Sequence, residues 1–382
     1  MMAGSLGIYV HIPFCVRKCF YCDFCSSAAS AQTQELYVSA LVKDIESSSY
    51  VFNDRVIDSI FLGGGTPSCL PARELGKILK TIFNNYSVSD DAEITLECNP
   101  ATADEESLLR LSELGFNRLS IGLQSAHDNE LRALGRIHDF SDFDKTFNDA
   151  RKAGFKNINL DLMYGIPFQT EDSFGKTLEV AASYSPEHIS AYALKIEPGT
   201  KFYETKNDLI LPDEDGEYNM YKSAVRTLKE MGYEHYEISN YAKPTKESRH
   251  NIKYWNCDDY AGFGVSAHSC LGRNRYAVVS NVNEYINSIT NDTEKKHFSE
   301  TESLSEKDFS EEYIMLRLRL KNGLSMSEYK NKFGHDIDKK YIERMDPFIK
   351  SGHIIYGDEC YALSDDGMYV SNYILSEILD LE

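Results

Sequence analysis

The feature that most constrains the fold is an alternation of short β-rich segments with amphipathic helical segments over the first two hundred residues. Six strands are predicted, and they cover residues 8–12, 57–62, 93–98, 118–123, 158–163 and 188–194. Between the second and third, apolar residues recur at i, i+3, i+4, i+7 and i+8 from Leu75 to Phe83, which is typical of an amphipathic helix. Phe143, Phe147 and Ala150 give a second stripe. Strands joined by helical crossovers run parallel, so we predict an α/β fold built as a partial (β/α)6 barrel.

Chemically unusual residues follow these predicted strands. The first strand leads into a group of cysteines, the second into Gly63–Thr66, and the third into Glu97 and Asn99. The fourth ends at Gln124, and the fifth carries Asp161. Because the carboxyl ends of parallel strands meet at one edge of a barrel, we expect a functional site there.

The cysteine group is Cys15-Val-Arg-Lys-Cys19-Phe-Tyr-Cys22, which places three thiols within eight residues. An iron–sulfur cluster normally takes four thiolates, so three would leave one iron open to a ligand from outside the protein. The alternative is a zinc site with a fourth ligand such as Cys25 or His11. A third interpretation, ordinary buried cysteines, fits this close spacing poorly. The spacing by itself favours iron–sulfur over zinc and leaves both open.

Charge and hydropathy limit the partners. Forty basic and sixty acidic side chains give a formal charge of −20, which repels nucleic acid and anionic lipid. No apolar run approaches the roughly 20 residues that span a bilayer, and the N-terminus does not resemble a signal peptide. We therefore expect no nucleic-acid binding, no transmembrane segment and a cytoplasmic location, where the nine cysteines stay reduced.

The last eighty residues have a different pattern of predicted helices and strands. Short helical patterns precede a predicted strand pair at 353–356 and 360–363, an order that predicts a small winged-helix-like domain. Ten basic against seventeen acidic residues from 301 onward argue against DNA binding there. We divide the chain into a barrel at 1–235, a barrel-associated connecting region at 236–302, and the winged-helix module at 303–382.

A family resemblance is carried by motifs spread along nearly the whole chain. They are Tyr9-Val-His11-Ile-Pro-Phe-Cys15 with Cys19 and Cys22, Gly63-Gly-Gly-Thr-Pro-Ser68, Glu97-Cys-Asn-Pro100, Asn117-Arg-Leu-Ser-Ile-Gly-Leu-Gln124, Gly135-Arg136, Asp161-Leu-Met-Tyr-Gly165 and Tyr236-Glu-Ile-Ser-Asn240. The chain resembles the radical S-adenosylmethionine (radical SAM) proteins related to oxygen-independent coproporphyrinogen III oxidase (HemN), and among them most the haem chaperone branch, HemW. The resemblance implies a radical SAM barrel and a HemN-like C-terminal module.

The resemblance also implies cofactors and their contacts. Cys15, Cys19 and Cys22 would hold a 4Fe-4S cluster whose open iron binds S-adenosylmethionine. Tyr9, Gly64 and Glu97 would surround that first cofactor molecule, with the glycine triplet offering amide hydrogens to its carboxylate. A second molecule, which some relatives accommodate, would be contacted by residues from several loops, namely Tyr21, Gly65, Thr66, Gln124, Arg136 and Asp161. Plainer roles exist too: Glu97 and Asp161 capping helices or pairing with Arg118, and Arg136 as a solvated surface charge.

Three positions depart from the family pattern. Cys25 and Cys98 stand where other small or polar residues are expected, and Phe168 replaces the usual glycine after Gly-x-Pro. A ring at position 168 would crowd the mouth of the site.

Two classes of function follow from the resemblance, a haem chaperone and an oxidoreductase acting on a porphyrinogen. Phe24 stands where the oxidase branch has a further cysteine, and Tyr9 lies close to the start of the sequence, without the extension of that branch. Both features favour the chaperone, which implies haem, a haem-acceptor protein and an electron donor such as a flavodoxin or ferredoxin as partners. A radical methyltransferase is a further alternative, and no catalytic residue is assigned.

The haem-associated motif is Arg249-His250-Asn-Ile-Lys-Tyr254-Trp255. A neutral imidazole is a good iron ligand, so His250 is the candidate haem ligand, with the two aromatic rings packing on the porphyrin. The equally weighted alternative is a capped loop whose aromatic residues pack on the barrel. His268 is a second, weaker candidate.

Overall fold

The structure is a computed structural model that describes residues 4–291 and 297–380. Within these ranges, twelve strands form one sheet in the order β12-β11-β10-β9-β1-β2-β3-β4-β5-β6-β8-β7. The strands of this sheet are β1 (Ser5–Ile12), β2 (Val56–Gly64), β3 (Ser87–Cys98), β4 (Arg118–Gln124), β5 (Ile158–Tyr164), β6 (His188–Ala193), β7 (Glu234–His235), β8 (Asn240–Ala242), β9 (Tyr260–Phe263), β10 (His268–Leu271), β11 (Asn274–Val278) and β12 (Phe298–Ser303).

The helices of the barrel and of the region that follows it alternate with these strands. They are α1 (Ala31–Ser48), α2 (Ala72–Asn85), α3 (Glu105–Glu113), α4 (Asp128–Ala133), α5 (Phe140–Lys152), α6 (Glu171–Ser183), α7 (Lys201–Glu204), α8 (Glu214–Glu230), α9 (Arg249–Trp255) and α10 (Val282–Thr290).

Strands β1 to β6 are parallel neighbours in chain order, which confirms the predicted α/β fold class and the six-strand partial barrel. Each predicted strand is present, and β3 begins six residues earlier than predicted. One face of each strand is apolar and packs under the helices, for example Ile8 and Val10 of β1 and Ile60 and Leu62 of β2, all fully buried. This burial on the helix side fixes which side chains point into the barrel.

The opposite face is unusually polar for a barrel interior. Alternation places Tyr9 opposite Phe61 in the β1–β2 register, Glu97 opposite Ser120 in β3–β4, and Asp161 opposite Ser190 in β5–β6. Barrel interiors are normally filled by branched apolar side chains. Polar groups here instead line the inside from one end to the other, and the hydrophobic core lies between sheet and helices.

The helices form where the sequence predicts them, with one exception at the edge of a stripe. In α2, Leu75, Ile78, Leu79 and Ile82 are buried, whereas Phe83 is 44% exposed, so the stripe ends one position earlier than predicted. In α5, Phe143, Phe147 and Ala150 are buried as predicted. Asp139 closes a capping box at the start of α5, satisfying backbone amides that a helix N-terminus leaves free.

Residues 236–302 contribute strands to the same large sheet. β9 runs parallel to β1, and β10, β11 and β12 continue the sheet as antiparallel strands. On the other side, β8 pairs antiparallel with β6. These strands are not predicted from the sequence, because they are only three to six residues long.

The C-terminal module contains a three-stranded sheet in the order β13-β15-β14 and the last helices. Its elements are α11 (Glu306–Arg317), β13 (Leu324–Ser325), α12 (Met326–Phe333), α13 (Lys339–Lys350), β14 (Ile354–Gly357), β15 (Cys360–Leu363), α14 (Asp365–Tyr369) and α15 (Ser371–Ile378). The predicted strand pair is present as β14 and β15. Its two turn residues, Asp358 and Glu359, have φ of 50° and 57°, as in the tight turns that suit hairpin twist.

None of the helices in the described residues is both long and apolar enough to cross a membrane.

Candidate cofactor site

A cavity of about 540 Å³ opens at the carboxyl ends of β1 to β6. It brings together eleven of the residues predicted for the site, from six separate segments of the chain. They are Cys15, Cys19, Tyr21, Cys22, Gly64, Gly65, Thr66, Glu97, Gln124, Arg136 and Asp161. Two predicted residues, Tyr9 and His250, are not among its lining residues. A second cavity, of about 640 Å³, lies outside the barrel between α1 and β9–β12 and contains none of the predicted residues.

The loop that carries the three cysteines is held by backbone hydrogen bonds. The amide of Gly65 donates to the carbonyl of Ile12 (2.9 Å), and the amide of Thr66 donates to the carbonyl of Phe14 (2.7 Å). The amide of Gly64 donates to Oε2 of Glu97 (3.0 Å). The expectation that the glycine triplet offers free amides to a carboxylate is therefore wrong for Gly64 and Gly65, whose N–H groups are engaged within the protein.

The sulfur atoms face hydrogen-bond donors. Oγ1 of Thr66 donates to Sγ of Cys15 (3.4 Å), and Nη1 of Arg136 donates to Sγ of Cys19 (3.6 Å). Burial raises the pKa of the Cys22 thiol. All three thiols are free and partly exposed, and donors that stabilise a thiolate lie beside two of them. This donor set fits an iron–sulfur cluster, which the three cysteines would hold.

The residues proposed as zinc ligands are occupied elsewhere. The thiol of Cys25 donates to the carbonyl of Ser280 (3.2 Å), and the His11 ring contacts the Cys25 carbonyl oxygen through Nε2 (2.9 Å). In residues 4–291 and 297–380, no three His, Cys, Asp or Glu side chains are gathered around one point as the ligands of a single metal ion are.

Gly64 shows why glycine is needed beside the cluster loop. Its φ is 112°, and a Cβ at this position would lie 2.5 Å from Cε1 of His11. A side chain there would displace the His11 ring and with it the loop. The glycine therefore serves close packing of β2 against β1.

Two partly buried carboxyl groups, Glu97 and Asp161, face the inside of the barrel near the cavity. Burial, and secondarily the negative charge of Asp161, raises the pKa of Glu97 to about 8. Burial also raises the pKa of Asp161, whose carboxylate is bound by Oγ of Ser120 (3.0 Å) and Nδ2 of Asn159 (2.7 Å). Among the residues that the structure describes, Glu97 has one hydrogen-bond partner, the Gly64 amide, so it is the less satisfied of the two. A carboxyl group with spare acceptor capacity beside a cavity suits a cationic ligand group.

The plainer roles considered for these carboxyl groups and for Arg136 do not fit their positions. Neither Glu97 nor Asp161 forms an ion pair with Arg118 or caps a helix in the described part of the chain, although the buried Arg118 lowers the pKa of both in opposition to burial. Arg136 is only partly exposed and donates to the Gly122 carbonyl (2.9 Å), to Asn99 and to the Cys19 sulfur. It is part of the cavity wall and not a solvated surface charge.

Asn99 and Tyr192 are among the wall residues that were not predicted as site residues. Asn99 donates to Oγ1 of Thr66 (2.7 Å) and so links the third strand end to the second. Tyr192 of β6 donates to Oε1 of Gln124 (3.0 Å). The signal for Tyr192 is the alternation His188, Ser190, Tyr192, which marks the inward face of β6. Gln124 itself has a φ of 67°, a strained backbone conformation of the kind that collects at functional sites.

Phe168 does not crowd the cavity mouth. Its ring is 59% exposed and does not line the cavity, so the expectation of crowding is wrong. Its φ of 66° lies in the left-handed region, where glycine is favoured. The glycine usual in the family therefore answers a backbone requirement at this position.

The candidate haem ligand His250 lies at the opposite end of the barrel, on α9. It is 1% exposed, Nδ1 is 3.0 Å from Oγ of Ser59, and Nε2 is 2.9 Å from the hydroxyl of Tyr254. Ligation of haem would require one of these hydrogen bonds to break, and the haem role of His250 stays a prediction. The Tyr254 and Trp255 side chains are partly buried, and Tyr254 packs edge-on against His250 and Tyr260.

His268, the weaker candidate, lies on β10 and is exposed.

Comparison with known proteins agrees with this geometry. The family model of the Radical SAM superfamily matches residues 9–181, and that of the HemN C-terminal domain matches residues 304–370. The protein named heme chaperone HemW from Bacillus subtilis is 34% identical over 97% of this chain and 98% of its own length. The protein of the same name from Lactococcus lactis is 33% identical over 99% and 98%.

Among solved structures, coproporphyrinogen III oxidase (HemN) from Escherichia coli, described as a radical SAM enzyme, superposes with a TM-score of 0.85. It is 23% identical and the match covers 98% of this chain and 90% of that one, so it shows a shared fold. Relatives above 30% identity over nearly their whole length show family membership as well as a shared fold. The chain belongs to the HemW family of the radical SAM superfamily.

Proposed function

We propose that this protein is a cytoplasmic haem chaperone that binds haem and delivers it to an acceptor protein. It carries one 4Fe-4S cluster on Cys15, Cys19 and Cys22, with S-adenosylmethionine as an exchangeable ligand of the open iron. The observation that carries the proposal is the match, over nearly the full length, to relatives that are named haem chaperones. The gathering of the three cysteines with Gly64 and Glu97 around one cavity supports it.

The residues around the cavity have distinct roles in this proposal. Glu97 accepts hydrogen bonds from the first cofactor molecule, and Arg136 and Thr66 stabilise the cluster thiolates. Asp161 and Gln124 lie toward the position of a second molecule. Tyr9 lies below the cavity and supports the cofactor site indirectly, through its hydrogen bond to His11 (3.0 Å). When bound, the cluster and cofactor supply one-electron chemistry, and the protein orients them and excludes water.

An electron donor is part of the proposal, because a redox-active cluster needs one. Arg17 and Lys18 lie between two cluster cysteines, and in the described residues both donate to backbone carbonyls and neither pairs with a carboxylate. Two such cations on a chain of formal charge −20 suit an acidic donor protein, such as a flavodoxin or ferredoxin. We divide the chain as before, at 235 and 302, with the C-terminal module as a candidate surface for the haem acceptor.

A spectroscopic haem titration of the anaerobically reconstituted protein tests the chaperone role. We expect a saturable shift of the haem absorption band, followed by its reversal when an apo acceptor is added. A titration that never saturates would exclude haem delivery.

The oxidase alternative needs a separate assay with coproporphyrinogen, S-adenosylmethionine and a reductant. Because Phe24, 58% exposed, replaces the further cysteine of the oxidase branch, we expect no decarboxylated product. Efficient decarboxylation would instead assign the protein to the oxidoreductases.

A further inference from the structure

The helix that carries the haem-associated motif closes the amino-terminal end of the barrel. Three donors at its start converge on Glu93 of β3: the Ser248 hydroxyl (3.4 Å), the Arg249 amide (3.2 Å) and the His250 amide (3.2 Å). On the same helix, Nζ of Lys253 donates to Oδ2 of Asp58 at 2.8 Å. The motif helix is thereby fixed to the bottom of the barrel strands; we refer to residues 248–255 with Glu93 as the floor.

His250 fills the space inside this floor. A Cβ on Gly7 would lie 3.2 Å from Cε1 of His250, so the ring sits where the first strand has no side chain. The ring stacks on Phe61 (5.4 Å between centroids) and lies beside Tyr9 (6.4 Å). Burial, Lys253 and Arg118 lower the pKa of His250 to about 3, so the ring is neutral at physiological pH and uses both nitrogens in hydrogen bonds.

Contacts lead from this ring to the cluster loop. Tyr9 is the next inward residue of β1 after Gly7, and its hydroxyl is 3.0 Å from Nδ1 of His11. Because the carbonyl of Cys25 can only accept, Nε2 of His11 carries the proton and donates to it, and Nδ1 accepts from Tyr9. The His11 ring also packs on Gly64, whose amide donates to Glu97. A continuous series of contacts therefore runs from His250 through Tyr9 and His11 to the cysteine loop, and through Gly64 to the carboxyl group of Glu97. We refer to this series as the column.

We propose that His250 is a positioning residue for the cluster and cofactor site, acting through Tyr9 and His11, and that it does not ligate haem iron. The column gives the physical reason: loss of the ring leaves a void under Tyr9 and frees its hydroxyl to move away from His11. His11 then loses the partner that fixes its ring against Gly64. This inference rests on the proposed cluster and cofactor, and it gives the motif a role at the opposite end of the barrel from where it lies.

Three variants test the proposal, with His335→Ala as the matched control because it removes an exposed histidine that is not a haem candidate. His250→Ala empties the position, His250→Gln keeps a hydrogen-bonding side chain, and Tyr254→Phe removes one partner and little volume. The reconstituted proteins are compared by cofactor affinity, by the electron paramagnetic resonance spectrum of the reduced cluster with cofactor, by haem affinity, and by thermal unfolding.

We expect His250→Ala to weaken cofactor binding at least about threefold and to change the spectrum of the cofactor-bound cluster. His250→Gln should restore most of the affinity, Tyr254→Phe should give a smaller loss, and haem affinity should match that of the control throughout. If His250→Ala does not fold, the other two variants decide in the same way. Loss of haem binding in a folded variant, or cofactor binding and spectra unchanged in all three, would overturn the inference. Absence of a cluster or of cofactor binding in the wild type would instead overturn the proposed function.

Discussion

The two ends of the barrel interior differ in how their carboxyl groups are satisfied, and β3 allows a direct comparison. Glu93 and Glu97 lie four residues apart on the same face of this strand. Glu93, at the floor, accepts from three donors at the start of α9. Glu97, at the mouth, accepts from one backbone amide, and burial with the nearby Asp161 raises its pKa to about 8.

This difference separates the polar residues that stabilise the fold from those that are available to bind a ligand. A buried charge is tolerated when the protein supplies its partners, as at the floor. A partly buried carboxylate with spare acceptor capacity is destabilised by loss of water, and a bound cationic group would offset that penalty. Both ends of the interior are polar, but we expect only the mouth to be a binding site.

Replacing Glu93 should give the largest loss of stability. Glu93→Ala removes the acceptor of three donors, two of them buried, and we expect the free energy of unfolding to fall by about 3 kcal/mol. Chemical denaturation measures this, with Glu93→Gln as the control that keeps one acceptor and should lose less. A change below about 0.5 kcal/mol would mean that the floor does not depend on this carboxylate.

The corresponding change at the mouth should separate binding from stability. Glu97→Gln removes the negative charge from a hydrogen bond to the cofactor, which we expect to weaken S-adenosylmethionine binding about tenfold or more. Unfolding should change little, because the neutral side chain is already the form favoured by burial. Equilibrium binding and denaturation are measured on the same preparation. A large loss of stability with unchanged affinity would reverse the roles assigned to the two residues.

The pKa of Glu97 gives the comparison a pH signature. Below pH 8 the free site holds a proton that must leave before the carboxylate accepts from a cationic group, so affinity should rise with pH. Between pH 7 and pH 8 we expect roughly a fivefold gain, which levels off above pH 8. Glu97→Gln serves as the control for titration of the cofactor itself, and an equal pH dependence in both proteins would contradict the assignment.

The smallest expected effect lies outside the cavity, at Phe168. Phe168→Gly should relieve a left-handed backbone and raise the free energy of unfolding by about 1 kcal/mol without changing cofactor affinity. Ile210→Gly is a suitable control, because Ile210 is 64% exposed and its carbonyl accepts from the Phe168 amide. The control should be neutral or destabilising. A loss of cofactor affinity in Phe168→Gly would restore a role for this ring at the mouth.

Much of the fold and of the mouth could be predicted because both depend on local patterns. Parallel strands follow from alternating strand and helix segments, and their carboxyl ends gather Cys15, Gly64, Glu97 and Asp161 at one edge. The hairpin of β14 and β15 is also local. These features need only short-range periodicity and one topological rule.

The floor could not be predicted, because it depends on contacts between residues far apart in the sequence. His250 meets Ser59 across 191 positions, and Glu93 meets the His250 amide across 157. The same holds for β9, which pairs with the distant strand β1. The engaged amides of Gly64 and Gly65 and the strained φ of Gln124 are likewise set by packing and not by residue type.

The three-cysteine cluster is tested most directly by anaerobic assembly of iron and sulfide in the wild type and in single cysteine-to-serine variants. Iron and sulfide content are measured together with electron paramagnetic resonance spectra before and after addition of S-adenosylmethionine. We predict that the wild type and Cys25→Ser hold a four-iron cluster whose spectrum changes with the cofactor, and that Cys15→Ser, Cys19→Ser and Cys22→Ser do not. A cluster that survives loss of these three thiols, or that depends on Cys25, would show that Cys15, Cys19 and Cys22 are not its ligands.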